Sequence, residues 1–97
     1  MRIRPSRVLK KLRDGGIACC TKMNLYDARA AEIAAMFEFD CLWLCMEHGP
    51  TDLSDIEKQI YAAKAYDVDV LVRVARGSYS DYVRPFELDA AGIMVPH

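Results

Sequence analysis

Several things are scarce or missing in this 97-residue sequence, and each narrows what it can be. No apolar run approaches the ~18 residues that a membrane span requires, so no membrane partner is expected. Neither sign of charge dominates: 13 basic and 14 acidic residues leave a formal net charge of −1. That balance offers no general handle to nucleic acid or to an anionic membrane. The segment from Met1 to Gly15 is basic but has no apolar centre, so it does not read as a secretory signal. No linker, low-complexity tract or short-period repeat breaks the chain. The four cysteines, outside any secretory context, fit a reducing cytoplasm better than a disulfide scaffold. A cytoplasmic location is therefore expected.

What is present is an alternation of strand and helix signals. Ser6 caps a short helix over 7–13, which Gly15-Gly16 stops. Ile17 to Met23 is the first strand. Asp27 caps a helix running to about Met36, with Ala30, Ile33, Ala34 and Phe37 on its expected inner face. Phe39 to Met46 is the second strand, an apolar run of the kind buried in parallel sheets. Thr51 or Asp52 caps the next helix, which reaches about Tyr66 and turns Ile56, Ile60 and Ala63 inward. Val68 to Val74 is the third strand. Ser78 opens a helix to about Phe86, limited by Pro85. Gly92 to Val95 is the fourth strand. Strands separated by helices in this order predict an α/β fold with a parallel sheet built by right-handed crossovers.

The chemistry gathers where strands end. The second strand delivers Glu47-His48-Gly49-Pro50 into a turn, and the third delivers Arg73. In alternating β/α folds ligands bind at that end of the sheet. Side chains alternate along a strand, so Cys41, Trp43, Cys45 and Glu47 share one face, and Leu71, Arg73 and Ala75 share one. The opposite faces, Leu42, Leu44, Met46 and Val70, Val72, Val74, are purely apolar and suit packing under helices. Adjacent strands lie about 4.8 Å apart, which puts Glu47 and Arg73 within reach of each other. An arginine buried there without such a partner would be very costly.

These strand ends, together with Asp52-Leu53 and Gly92-Ile93-Met94-Val95-Pro96, resemble the HpcH/HpaI aldolase and citrate lyase family. The resemblance runs from the basic N-terminal helix to His97. Members are (β/α)8 barrels, mostly metal-dependent class II pyruvate aldolases. The resemblance therefore implies that residues 1–97 are the N-terminal part of a single TIM-barrel domain, about four β/α units. It implies retro-aldol cleavage of a 4-hydroxy-2-oxo acid to pyruvate, or a related 2-oxo acid, and an aldehyde. It assigns His48 as acid/base, Arg73 as partner of the carboxylate and enolate, and Glu47 as a supporting residue that orients them. A divalent cofactor, Mg2+ or Mn2+, is implied as well, with its ligands on later strands beyond residue 97, so the chain alone is expected to be inactive. A homo-oligomer is also implied. The family often has an aspartate where this chain has Cys45.

Other readings stand beside that one. His48 is able to cap a helix or lie in solvent, and Glu47 with Arg73 to form a structural ion pair. The chain would then be a non-catalytic half-barrel that self-associates. A lyase for a CoA thioester, malyl- or citramalyl-CoA-like, is a further reading within the superfamily. Cys41 and Cys45 lie about 13 Å apart at ~3.3 Å per residue, too far to share zinc, so the cysteines read as small buried residues. Trp43 reads as barrel core. Arg2, Arg4, Arg7, Lys10, Lys11 and Arg13 read as the solvated face of the first helix. Arg76-Gly77-Ser78 reads as a turn and cap rather than a phosphate loop. No role falls to His97.

Overall fold

The computed structural model describes residues 2–97. Eight elements alternate along the chain: α1 Arg7–Arg13, β1 Cys20–Lys22, α2 Ala28–Met36, β2 Cys41–Cys45, α3 Leu53–Lys64, β3 Asp69–Arg73, α4 Tyr79–Glu87 and β4 Gly92–Met94. The strands form one parallel sheet in the order β1-β2-β3-β4. The expected α/β architecture is present, with the strands shorter than their apolar runs, most of all β1 and least β4.

Local chemistry sets the helix starts. Ser6 accepts from the Leu9 N–H, and Asp27 from the Arg29 N–H. Asp52, not Thr51, caps α3: it accepts from the Asp55 N–H at 3.0 Å while Asp55 reaches back to the Asp52 N–H at 3.3 Å. Such reciprocal caps satisfy donors that the first turn leaves unpaired. At the other ends, Glu38, Asp67 and Asp89 each adopt positive φ just before a strand. Helix α4 continues past Pro85 to Glu87, and Pro85 is buried.

The core lies between the sheet and the helices. Leu42, Leu44, Val70, Val72 and Val74 meet Ile56, Ile60 and Ala63 of α3, as the alternation predicts. Each buried Leu, Ile or Val among them contributes about 1.5–3 kcal/mol relative to its exposed form. Helix α2 differs from expectation: Ala31 and Ala35 face inward, while Ile33 is 56% exposed and Phe37 73%. Small residues let α2 lie close to α3 and the sheet. The other face of the sheet is open, and it carries Trp43, Leu71 and Arg73, all partly exposed.

Helix α1 crosses the opposite end of the sheet and has no buried residue. Polar contacts hold it there. Asp69, 1% exposed, receives Arg4 Nη2 at 2.6 Å, Ser6 Oγ at 2.5 Å and the Val8 N–H at 2.9 Å. Asp40, fully buried, receives Arg7 Nε at 2.7 Å, Lys11 Nζ at 2.8 Å and the Cys19 N–H at 2.8 Å. The basic cluster is therefore not simply a solvated face. Arg4, Arg7 and Lys11 are counter-ions to two strand aspartates.

Candidate active site

Pairing register assembles the site. Cys45 of β2 lies opposite Arg73 of β3, and Arg73 opposite Met94 of β4. The backbone continues this pairing beyond β2, with the Met46 N–H donating to the Arg73 carbonyl at 2.8 Å. Glu47 and His48 thus leave the sheet directly beside Arg73. Gly49 makes the following turn possible. Its φ is +94°, and a Cβ there would collide with the Tyr26 hydroxyl from the preceding β/α loop.

Glu47 sits at the centre. Its Oε2 is 3.1 Å from Arg73 Nε and 3.5 Å from His48 Nε2, and its Oε1 is 3.3 Å from His97 Nε2. The carboxylate is 15% exposed and the guanidinium side chain 19%, whereas His48 is 71% exposed. The ion pair is thus half-buried beneath an accessible imidazole. All three site residues expected from the sequence meet here.

Three further residues belong to this cluster. Cys45 Sγ accepts from Arg73 Nε at 3.3 Å, from Arg73 Nη2 at 3.1 Å and from the His48 N–H at 3.4 Å. Trp43 is not plain core: the Arg73 guanidinium lies over its ring at 4.9 Å and Lys22 Nζ at 5.5 Å, cation–π contacts that fix the plane of the arginine. His97, which the sequence left without a role, flanks Glu47. Period-two alternation already placed Cys45 and Trp43 on the face of Glu47. Nothing in the sequence marked His97 beyond its position at a strand end.

Burial pushes the Cys45 thiol up, but the His48 N–H, the Arg73 guanidinium and the Glu47 N–H outweigh it, and its pKa falls below the ordinary thiol value. Cys41 behaves oppositely, since burial pushes its thiol strongly up. Reading the cysteines as small buried residues therefore suits Cys41, holds for the burial of Cys45 but misses its hydrogen bonds, and fails for Cys19 and Cys20, which are exposed.

Arg73 spends the edge formed by Nε and Nη2 on Cys45 and Glu47. Arg73 lies on the open face of the sheet, and no hydrogen bond among the described residues uses its Nη1, the end of the fork. That end matches a carboxylate or an enolate oxygen. Among the described residues no three His, Cys, Asp or Glu side chains converge as cation ligands. Glu47 is already taken by a guanidinium and imidazoles, so these residues do not fit a metal site.

Two other features carry no comparable chemistry. A cavity of about 180 Å³ near Arg4, Lys64, Asp69 and Asp89 lies at the far end of the strands. Its charges are matched within it, Arg4 to Asp69 at 2.6 Å and Lys64 to Asp89 at 2.6 Å. At the start of α4, Asp81 occupies the helix N-terminus and accepts from the Ser78 N–H at 2.7 Å. An acidic side chain there supports the turn reading of Arg76-Gly77-Ser78 against a phosphate loop. No helix is long and apolar enough to cross a membrane among the described residues.

No family model matches the chain. A hydroxypyruvate/pyruvate aldolase of Pseudomonas aeruginosa is 30% identical over 91 residues, 94% of this chain and 34% of that protein. The protein of the same name from Roseobacter denitrificans is 31% identical over 87 residues, 90% of this chain and 34% of its own. The crystal structure of an HpcH/HpaI aldolase from Desulfitobacterium hafniense DCB-2 superimposes with a TM-score of 0.84 at 29% identity, over 92% of this chain and 35% of that one. The chain spans about a third of the length of each protein it matches. On sequence and fold together, the chain matches the N-terminal part of HpcH/HpaI-type aldolases, and its alternating strands and helices match the first β/α units of their TIM barrel.

Proposed function

We propose that this chain contributes to a carbon–carbon lyase that cleaves a 4-hydroxy-2-oxo acid to pyruvate, or a related 2-oxo acid, and an aldehyde. The observation that carries the reading is the free end of the Arg73 fork, held at a strand end beside an exposed imidazole. Arg73 binds the substrate carboxylate and stabilises negative charge as the enolate forms, where a preorganised donor is worth most. His48 takes the proton from the hydroxyl being cleaved, or returns one to the enolate, directly or through water. Glu47 orients both through Oε2. The names of the relatives point the same way, since they describe pyruvate-type aldolases.

The residues form part of a single barrel domain in this reading. Mg2+ or Mn2+ would be held by none of these side chains. The outer edges of β1 and β4 have no strand partner among the described residues. Unpaired edges favour pairing with further strands, which later strands of the barrel would supply, and a homo-oligomer is proposed on the family resemblance. A substrate carrying CoA has no matching feature in the site.

The test is pyruvate release by the full-length protein carrying this sequence, with and without Mg2+ or Mn2+. Arg73→Lys keeps the charge but loses the planar fork. It is expected to lower turnover about 10²–10³-fold with little change in folding. Unchanged turnover in that variant would sink the assignment.

A further inference from the structure

Three hydrogen-bond donors converge on one buried sulfur. Cys45 is 4% exposed. It accepts from Arg73 Nε, from Arg73 Nη2 and from the His48 backbone N–H. A guanidinium and an amide have no acceptor to offer, so a thiol proton at Cys45 would point at donors only. Among the described residues no acceptor receives a hydrogen bond from Cys45. The pocket is therefore built for a sulfur that accepts. Trp43 closes it from the ring side at 4.9 Å from the guanidinium, which leaves Arg73 little freedom to rotate.

Resting on the function proposed above, we propose that Cys45 is a positioning residue: its sulfur anchors the Nε/Nη2 edge of Arg73 and thereby turns the Nη1 end of the fork toward the carboxylate of the 2-oxo acid. Without the sulfur, Glu47 on Nε would be the only acceptor on that edge. The guanidinium would then swing toward Glu47 or pair with it through the end now free. Cys45 also ties the His48 backbone to Arg73, so one atom sets the spacing between the two proposed functional side chains. Depression of the thiol by the same donors fits this role. The charged or titratable groups around Cys45 are Arg73 on β3, Glu47 and His48 on the turn, His97 beside Glu47, and Lys22 across Trp43.

Two readouts in the full-length protein test the proposal. The first is the thiolate absorbance against pH, taken as wild type minus Cys45→Ser. Its midpoint is expected below the ordinary thiol value of about 8.5, and it should rise by about one unit or more in an Arg73→Met background. If that variant does not fold, Arg73→Gln, which keeps donors without charge, serves the same purpose. An unmoved midpoint overturns the anchor. The second readout is kinetic. Cys45→Ala should lower kcat/KM about 10–100-fold, the range for loss of a hydrogen bond to a charged group. Cys45→Asp, which restores an anionic acceptor, should recover most of that loss. A residue needed only for packing would behave in the opposite way, because a buried carboxylate is harder to accommodate than a methyl group. If Cys45→Asp is no better than Cys45→Ala, the proposal fails. Absence of aldol cleavage in the wild type, with a midpoint that still moves, overturns the lyase reading and leaves the Cys45–Arg73 anchor standing.

Discussion

The two ends of β2 and β3 carry the same kinds of charge and use them differently. At the N-terminal end, Asp40 and Asp69 are buried and each accepts from three or more donors. At the C-terminal end, Glu47 and Arg73 are half-buried, and one end of the guanidinium and the exposed His48 remain unspent. A saturated cluster fixes structure, because nothing is left to meet a ligand and any missing partner exposes a buried charge. An unsaturated one is a place where something else binds. The cations also differ. Arg7 and Lys11 arrive from a distant helix, and Arg4 from the segment leading into it, and together they clasp it to the sheet, whereas Arg73 comes from the adjacent strand and is held by Cys45, Trp43 and Glu47.

The contrast can be broken by separating activity from stability at each end. The largest expected effect is His48→Asn, which should lower turnover about 10²–10⁴-fold. Its exposed side chain leaves the unfolding midpoint in urea unchanged. A stability loss of the same weight would merge the two ends into one structural system. Next comes Asp69→Asn, which places an amide against donors and should cost about 1.5–3 kcal/mol in chemical denaturation. Activity per folded molecule should stay the same.

Acid should act mainly on the same end. Asp40 is held below the usual carboxylate range by Lys11, the Cys19 N–H and Arg7. Burial pushes Asp69 up, but Ser6, the Val8 N–H and Arg4 outweigh it and lower its pKa. Carboxyls depressed in the folded state add stability that is fully present above the unfolded value of about 3.9 and is lost as pH falls toward the folded values. Unfolding free energy should therefore decline below about pH 5, and the decline should be shallower in Asp69→Asn. An equal slope in both proteins would show that Asp69 is not part of the clasp's acid response.

The smallest effect sharpens the comparison on the structural side. Glu38 holds φ +63° at the turn into β2, a conformation that costs a side-chain-bearing residue about 1–2 kcal/mol. Glu38→Gly relieves that cost but adds flexibility to the unfolded chain. A net gain of a few tenths to about 1 kcal/mol is expected, read as a higher thermal midpoint with unchanged turnover.

Much of this was legible without coordinates, and the failures are specific. Ser6, Asp27 and Asp52 cap their helices because a short polar side chain answers local N–H groups, which needs only neighbours in sequence. Alternation separated the apolar face of β2 and β3 from the face bearing Glu47 and Arg73. The inner face of α2 was misread because its large residues, Ile33 and Phe37, form a stripe as apolar as the small one. Periodicity locates stripes but does not say which one meets the sheet. The basic residues of α1 read as solvated because their partners lie more than twenty positions away, although two aspartates among apolar strand residues already demanded cations from somewhere.

By itself, then, the sequence determined where helices begin, the order in which strands and helices alternate, which strand faces are apolar, and that an acid, an imidazole and a guanidinium sit at neighbouring strand ends. These follow from propensities and periodicities that act over a few residues. Only the tertiary structure decided that Cys45 lies opposite Arg73, that His97 returns to Glu47, and that α1 is tied to Asp40 and Asp69. Strand register and long-range charge pairing depend on how the elements pack, and a shift of a single residue in β2 against β3 would carry the sulfur to the other face of the sheet.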